Sequence, residues 1–438
     1  MAHLDLRAYS ERVRTKDPIV TYGRIVDVVG LTIEATGPPM CIGDLCYVQP
    51  RHSRDRIPVE VVGFRGDRIL LMPLGPMRGI GPGSLLIPTY EPQKVRVGPD
   101  LLGRVVDSMG QPLDGGPVPE GEAEVPLIAR APQPLERERI VEPIATGIRA
   151  IDACITCGKG QRVGIMSGSG VGKSKLLGMI ARNTNADVNV IALVGERGRE
   201  VRDFIEVDLR DEGLARSVVV VGASDAPALV RLKGAYLATA LAEWFRAQGS
   251  DVMLMMDSLT RFAMAQREVG LAVGEPPTTK GYPPSVYALL PKLVERVGTT
   301  AAGSITGMYA VLVEADDLND PVGDASRSVL DGHVALSRDL ASRGHYPAVD
   351  VLESISRVMI DVTDEEHQAL AQRIRQILAT YRDAEDLVNI GAYVEGSNPE
   401  IDEALRLIPR LRKFLQQGLF EASPYDQINA MMAEALRA

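Results

Sequence analysis

Residues 167–175 read Ser167-Gly168-Ser169-Gly170-Val171-Gly172-Lys173-Ser174-Lys175. The run nearly fits G-x-x-x-x-G-K-[ST], a loop whose backbone N–H groups and following helix N-terminus cradle phosphate. It departs at the first position, where Ser167 stands for glycine. Only a small residue is needed there, so the departure reads as tolerable. The steric demands fall on Gly168, Gly170 and Gly172, where a Cβ would obstruct the tight path or the phosphate, and Lys173 adds a full charge. The flanks meet the condition that gives the motif meaning. RVGIM (residues 162–166) reads as a strand running in, and Leu176, Leu177 and Ile180 fall at helical spacing in the segment running out.

Working outward from the loop, the runs RVGIM, VNVIALVG, SVVVVGAS and VMLMMD are separated by helix candidates beginning at Lys173, Gly198 and Ala226. Strands alternating with helices from Gly158 to about Ile360 imply parallel βαβ units and a sheet buried on both faces. In such sheets ligands gather at the carboxyl ends of the strands. Asp257 ends VMLMMD at that rim, where a carboxylate holds the water around Mg²⁺. Glu196 follows VNVIALV on the same rim, within reach of a water attacking a γ-phosphate. The other reading makes Glu196, Arg197, Arg199 and Glu200 solvated charges capping the next helix, and spacing alone leaves both open.

Short β-branched runs between Ile19 and Leu86, broken by Gly, Pro and Arg-Asp turns, predict a small antiparallel barrel. Before them, Leu4 to Lys16 reads as a short polar helix or a disordered segment. Residues 93–150, rich in Pro and Gly, read as an extended connector. Residues 363–438 are mostly helical, with a turn at Gly396-Ser397-Asn398-Pro399. The expected division is 1–18 as a partner-binding segment, 19–92 as the barrel, 93–362 as the nucleotide-binding domain including the connector, and 363–438 as a helical domain.

The 438 residues are 45% hydrophobic and 24% charged, long enough for several domains. A net charge of −10 is the wrong sign for a protein whose bulk field gathers nucleic acid or anionic lipid, although a local basic patch stays open. Apolar runs such as Val252 to Met256 are too short for a membrane span, and MAHLDLRAYSERVRTKD has no signal-peptide core, so a cytoplasmic protein is expected. Cys154 and Cys157 form a C-x-x-C without a second pair to complete a zinc site, which favours buried free thiols over a metal or redox role.

SGSGVGKS, VGERGREV, MLMMDSLTRFAMAQREVGLAVGEPPTTKGYPPSVYALLPKLVERVG, LVEADDLNDPVGD, RSVLDGHVALSR and YPAVDVLESISR together resemble the hexameric rotary-type ATPases. Within that group, TCGKGQR before the loop, GEPPTTKGYPPS and NIGAYVEGSNPEID resemble the type III protein-export ATPases, the flagellar one in particular. The match runs from about Tyr22 to Phe420. It implies an N-terminal β-barrel, a central RecA-like α/β domain and a C-terminal α-helical domain.

The resemblance also implies roles for matching positions. Ser169, Gly170, Val171, Gly172, Lys173, Ser174 and Lys175 would hold ATP, with Lys173 on the β- and γ-phosphates and Ser174 on Mg²⁺. Glu196 matches the catalytic carboxylate of the ATP synthase β-subunit, where the non-catalytic α-subunit has glutamine. Arg197 and Arg261 match arginines lining the γ-phosphate pocket, Asp257 organises the metal's water, and Tyr346 packs on adenine. Arg357 in SISR matches a finger that reaches the neighbouring subunit's nucleotide.

Lys175 departs from the family, which usually has threonine after the loop serine; solvent is its expected direction. The C-terminal domain lacks the acidic segment of the ATP synthase β-subunit, which argues against an ATP synthase. The implied protein is a homohexamer that energises export, with a coiled-coil stalk in its pore, facing the segment around Pro276 to Glu295. A peripheral-stalk regulator would bind its N-terminus, and the export gate with exported proteins or their chaperones would complete the partners. It would work at the cytoplasmic face of the inner membrane, with peripheral membrane association left open and no nucleic acid partner. An injectisome ATPase is the alternative. A hexameric RNA translocase is disfavoured by the acidic chain, and a non-hydrolysing subunit by Glu196.

Overall fold

The computed structural model describes residues 21–313 and 320–437, which form two compact units. The N-terminal segment 1–18 and the centre of LVEADDLNDPVGD lie outside the described residues.

The first unit holds a closed six-stranded barrel of Gly23–Val29, Thr32–Thr36, Asp44–Gln49, Ile57–Arg65, Arg68–Pro73 and Leu85–Pro92. Alternation does the sorting. Along Asp44–Gln49 every second residue is buried, which sends Cys46 and Val48 inward with Ile25, Ile33, Val59, Leu71 and Leu86. The tight hairpin between Arg65 and Arg68 requires a positive φ, and Gly66 supplies it at +61°.

The second unit is built on a nine-stranded sheet. Its order is Val349–Ser356, Gly332–Leu336, Arg162–Ser167, Gly303–Leu312, Asp251–Asp257, Val188–Val194, Ser217–Gly222 and Val105–Asp107, with Gly298–Thr300 pairing off Gly303–Leu312. All pairings are parallel except those made by Val349–Ser356 and Gly298–Thr300. Every residue of Val188–Val194 and Ser217–Gly222 is buried, as expected for strands covered on both faces. The four expected strands and the helices Lys173–Asn183, Gly198–Asp203 and Ala228–Ala247 are present. The connector departs from expectation in one respect. Val105–Asp107 joins the sheet edge in parallel with Val219–Val221, a three-residue strand too short to show periodicity.

Beyond the sheet, helices Glu365–Asn389, Pro399–Leu415 and Ile428–Ala435 follow. Asp364 caps the first by accepting from the His367 N–H at 2.8 Å, and Asn398 caps the second by accepting from the Glu400 N–H at 2.9 Å. Their apolar faces, including Ile374, Ile377, Leu407 and Leu411, share a core with Ile148, Ile151 and Ile180. Each such side chain contributes about 1.5–3 kcal/mol, so the helical segment is fastened to the nucleotide-binding layer rather than tethered. Cys154 and Cys157 are free thiols in this core. Burial pushes the Cys154 thiol up to about 12 and raises Cys157 as well, so both pack as small protonated apolar groups.

Candidate active site

The loop strand Arg162–Ser167 is flanked by Gly303–Leu312 and Gly332–Leu336, with Ser167 level with Leu312 and Leu336. The chain then turns through Gly170 at φ +80° and Gly172 at φ +92°, and helix Lys173–Asn183 begins. A Cβ added at Gly170 would meet no atom within 4 Å, so that side of the loop is an open cradle. Gly168 is absent from the positive-φ positions, so any need for glycine there is closeness of approach rather than backbone conformation. Ser167 fits sterically, yet its Oγ is buried without a partner among the described residues. A buried orphan of this kind costs about 1–3 kcal/mol, so the substitution is tolerated rather than free.

The Lys173 ammonium lies between two carboxylates. It donates to Asp257 Oδ1 and stands 3.9 Å from Glu196 Oε1. Asp257 and Glu196 are delivered by neighbouring strands, since Leu193 pairs with Asp257 and Glu196 follows two residues beyond the strand end Val194. Glu196 is largely shielded and its carboxyl is pushed up to about 7. Burial is the main cause, followed by a hydrogen bond to Glu200 and the Asp257 charge; Lys173 and Arg261 oppose the rise. Glu200 moves downward, chiefly because it accepts that hydrogen bond. Of the two carboxyls, Glu196 is the one that is protonated first as pH falls. The solvated-cap reading fits Arg197, which is exposed and 3.5 Å from Glu200, but not Glu196.

Arg261 rises from helix Leu259–Val273 behind Gly195, whose added Cβ would sit 3.2 Å from the arginine's Cβ. Its Nε is buried with no partner among the described residues, an unused donor beside Glu196. Ser174 is exposed on the first turn of the loop helix. Among the described residues no cluster of three His, Cys, Asp or Glu side chains could hold a metal by itself. The open cradle and the orphaned Arg261 donor fit phosphate oxygens, and the exposed Ser174 hydroxyl near Asp257 fits a Mg²⁺ ion that arrives with nucleotide and keeps most of its waters.

On the other side of the loop is an apolar cavity of about 320 Å³ walled by Val171, Gly172, Leu336, Tyr346, Pro347 and Leu419. The Tyr346 ring lies over Gly172, 3.5 Å from where a Cβ would be. Gln417 completes the wall, and sequence reasoning missed it together with Leu419. The Gln417 N–H donates to the Tyr346 carbonyl at 2.9 Å, its Nε2 donates to the Gly147 carbonyl at 2.8 Å, and its Oε1 accepts from the Arg149 N–H at 2.9 Å. The last two of these contacts span 270 and 268 positions of chain, so no local pattern signals them.

The Lys175 side chain is half exposed, in line with its expected direction, and its ammonium also donates to Asp208 Oδ1 at 2.6 Å, a partner no local pattern signals. Arg357, expected to reach a neighbouring subunit, joins no site with Lys173 in its own chain. Strand Val349–Ser356 runs antiparallel, so Ser356 pairs with Gly332 while Ser167 is level with Leu336. Arg357 is exposed at the opposite rim of the sheet, roughly 13 Å along the strands from the loop's level.

Fold and site together define a nucleotide-binding protein whose phosphate loop, acidic pair and base cavity all open on one rim of a covered parallel sheet. Family models match accordingly: the nucleotide-binding domain of the ATP synthase alpha/beta family over 147–356, its beta-barrel domain over 25–89, and the T3SS EscN ATPase C-terminal domain over 363–434. Relatives include the flagellum-specific ATP synthase of Bacillus subtilis, 54% identical over 95% of both chains. That of Salmonella typhimurium is 49% identical over 92% of this chain and 91% of its own. The type 3 secretion system ATPase of Xanthomonas euvesicatoria is 49% identical over 92% of both. Among solved structures, the assembled ATPase EscN of the enteropathogenic E. coli type III secretion system superposes with a TM-score of 0.88 at 43% identity, covering 95% of this chain and 100% of that one. The chain belongs to the family of flagellum-specific ATP synthases and type 3 secretion ATPases.

Proposed function

We propose that this chain is the ATP-hydrolysing subunit of a homohexameric ring that energises protein export through a flagellar type III apparatus. The observation that carries the reading is the convergence of Lys173, Glu196 and Asp257 beside the loop cradle. ATP would place its base in the Tyr346 cavity and its phosphates over Ser169–Ser174, where Lys173 would leave Asp257 for the β- and γ-phosphates. Ser174 and, through water, Asp257 would hold Mg²⁺, which when bound neutralises charge on the phosphates. Arg261 would direct its unused donor at the γ-phosphate. Glu196, once deprotonated, would accept a hydrogen bond from the attacking water and orient it. Arg197 is nearest to Glu200 here and reaches the phosphates only after a rotamer change.

A pH dependence follows. Glu196 acts as the carboxylate, so kcat/KM for ATP should fall by about tenfold per pH unit below pH 7. Glu200→Gln replaces the charged acceptor that holds the proton on Glu196 with a neutral amide, which can also donate to the Glu196 carboxylate, so this acid limb should move to lower pH. A limb that stays in place would show that another group controls it.

The Arg357 geometry supports a ring, because the arginine each site needs comes from a neighbouring copy. ATPase activity per milligram should therefore rise steeply with protein concentration; a flat profile would contradict assembly-dependent completion. EscN has also been solved with its central stalk EscO, which supports a coiled-coil stalk as a partner here. A regulator at residues 1–18 and contact with the export gate and with exported proteins or their chaperones are further parts of the proposal. None of the helices among the described residues is long and apolar enough to cross a membrane, and the proposed location is the cytoplasmic face of the inner membrane. Restoration of swimming in a strain lacking its own flagellar relative tests the flagellar assignment, and restoration of needle secretion alone would favour the injectisome.

A further inference from the structure

Lys175 is the one cationic side chain on the wall of the base cavity, where it adjoins Val171, Gly172 and Tyr346. It sits on the first turn of the loop helix, two residues past Lys173, and 200° of helical rotation sends the two ammonium groups to opposite sides. Residue 175 borders the cavity beside Val171 and Gly172, so an ammonium freed there would face a bound nucleotide from the side opposite Lys173. In the structure the ammonium reaches instead to Asp208 at 2.6 Å.

Asp208 is well placed to hold it. Its side chain is 4% exposed, and Lys175 makes the ion pair that compensates it. It lies in the π-helical turn Phe204–Leu209, a local widening that re-aims side chains and recurs at functional sites. The turn presses against the loop helix at Gly178, where an added Cβ would be 2.7 Å from the Asp208 Cβ. The carboxylate is thus fixed at short range from the helix that carries Lys175. Releasing the lysine would remove the direct ion pair of a buried carboxylate and leave it only the more distant Arg182 charge, which is unfavourable.

We propose that Asp208 is a positioning residue that parks the Lys175 ammonium on the cavity wall, away from the phosphates. The proposal rests on residues 169–174 being the phosphate site. A second cation facing the nucleotide from the side opposite Lys173 would tighten ADP along with ATP, and a motor that must release ADP each cycle gains nothing from uniform tightening. The pair lets the chain carry lysine at this position without slowing product release.

The test is a double-mutant cycle on the full-length ring, with ADP affinity and steady-state kinetics as readouts. Asp208→Asn, nearly isosteric, should tighten ADP about tenfold, the worth of one charge-assisted hydrogen bond, and lower kcat and KM together. In the Lys175→Thr background Asp208→Asn should have no effect on ADP affinity. An equal effect in both backgrounds, or none in either, overturns the proposal. Lys175→Thr also shortens a side chain on the cavity wall and serves as the second background of the cycle; a tenfold loss of ADP affinity in it would place the ammonium on the phosphates and overturn parking even if Asp208→Asn failed to fold. Lys173→Ala separates the underlying reading. If it leaves ADP affinity intact, the phosphate site itself is misassigned; if it abolishes binding while the cycle shows no coupling, only the parking is wrong.

Discussion

Glu196→Gln should leave ADP and ATP affinity within about twofold of the parent and lower turnover by about 10³-fold, within the range attributed to positioned general acid–base groups. The substitution is well matched to the site. Near pH 7 a large fraction of Glu196 already carries a proton, held there by burial and by Glu200. Glutamine reproduces that neutral, hydrogen-bond-donating form, so the fold and the Glu200 contact should survive. What it cannot do is become a carboxylate when water must be oriented and polarised. Nucleotide binding by calorimetry and turnover by phosphate release separate the two. Unchanged turnover would return Glu196 to a cap for helix Gly198–Asp203, and lost binding would mean that it supports the loop rather than the reaction.

The residues legible in the sequence share a physical property: their place on the rim follows from position on one local element, while their roles come from the resemblance. Lys173 begins a helix after a strand, Asp257 ends a wholly apolar strand, and Glu196 follows another, so the known polarity of parallel sheets puts all three on one rim. The ion pair between Lys173 and Asp257 is a consequence of that placement.

Other features depend on contacts that no short window contains. Val105–Asp107 becomes a strand only because Ser217–Gly222 offers it an edge. Gln417 reaches the base cavity because Arg149 holds the segment after Pro399–Leu415, donating to the carbonyls of Phe414 and Gln416 and to Glu421. The partner of Lys175 depends on a π-helical turn, which helical periodicity does not distinguish from an ordinary one. The resemblance pointed Arg357 at a neighbouring subunit, and the antiparallel register of Val349–Ser356 gives that direction its geometry by setting the residue at the rim away from its own loop.

That direction makes the second large prediction. Arg357→Ala should lower turnover by about 10³–10⁵-fold, as loss of an arginine finger does in phosphoryl transfer generally, while each subunit still binds nucleotide. Because Arg357 is exposed at the rim opposite its own phosphate loop, the defect is expected at the neighbour's site. Lys173→Ala has the complementary defect: its own site fails, but its Arg357 is intact. Rings assembled from the two variants contain junctions at which an intact loop faces an intact arginine, so mixtures should recover measurable ATPase activity although each variant alone is inactive. If ring closure needed only a structural arginine after the edge strand, Arg357→Ala alone would retain most of its turnover and mixing would add nothing. If Arg357 served its own subunit, one intact loop and one intact arginine would never meet, and every mixing ratio would remain inactive. Recovery that peaks at intermediate ratios distinguishes the shared site from both, because complementary junctions form only where the two kinds of subunit are neighbours.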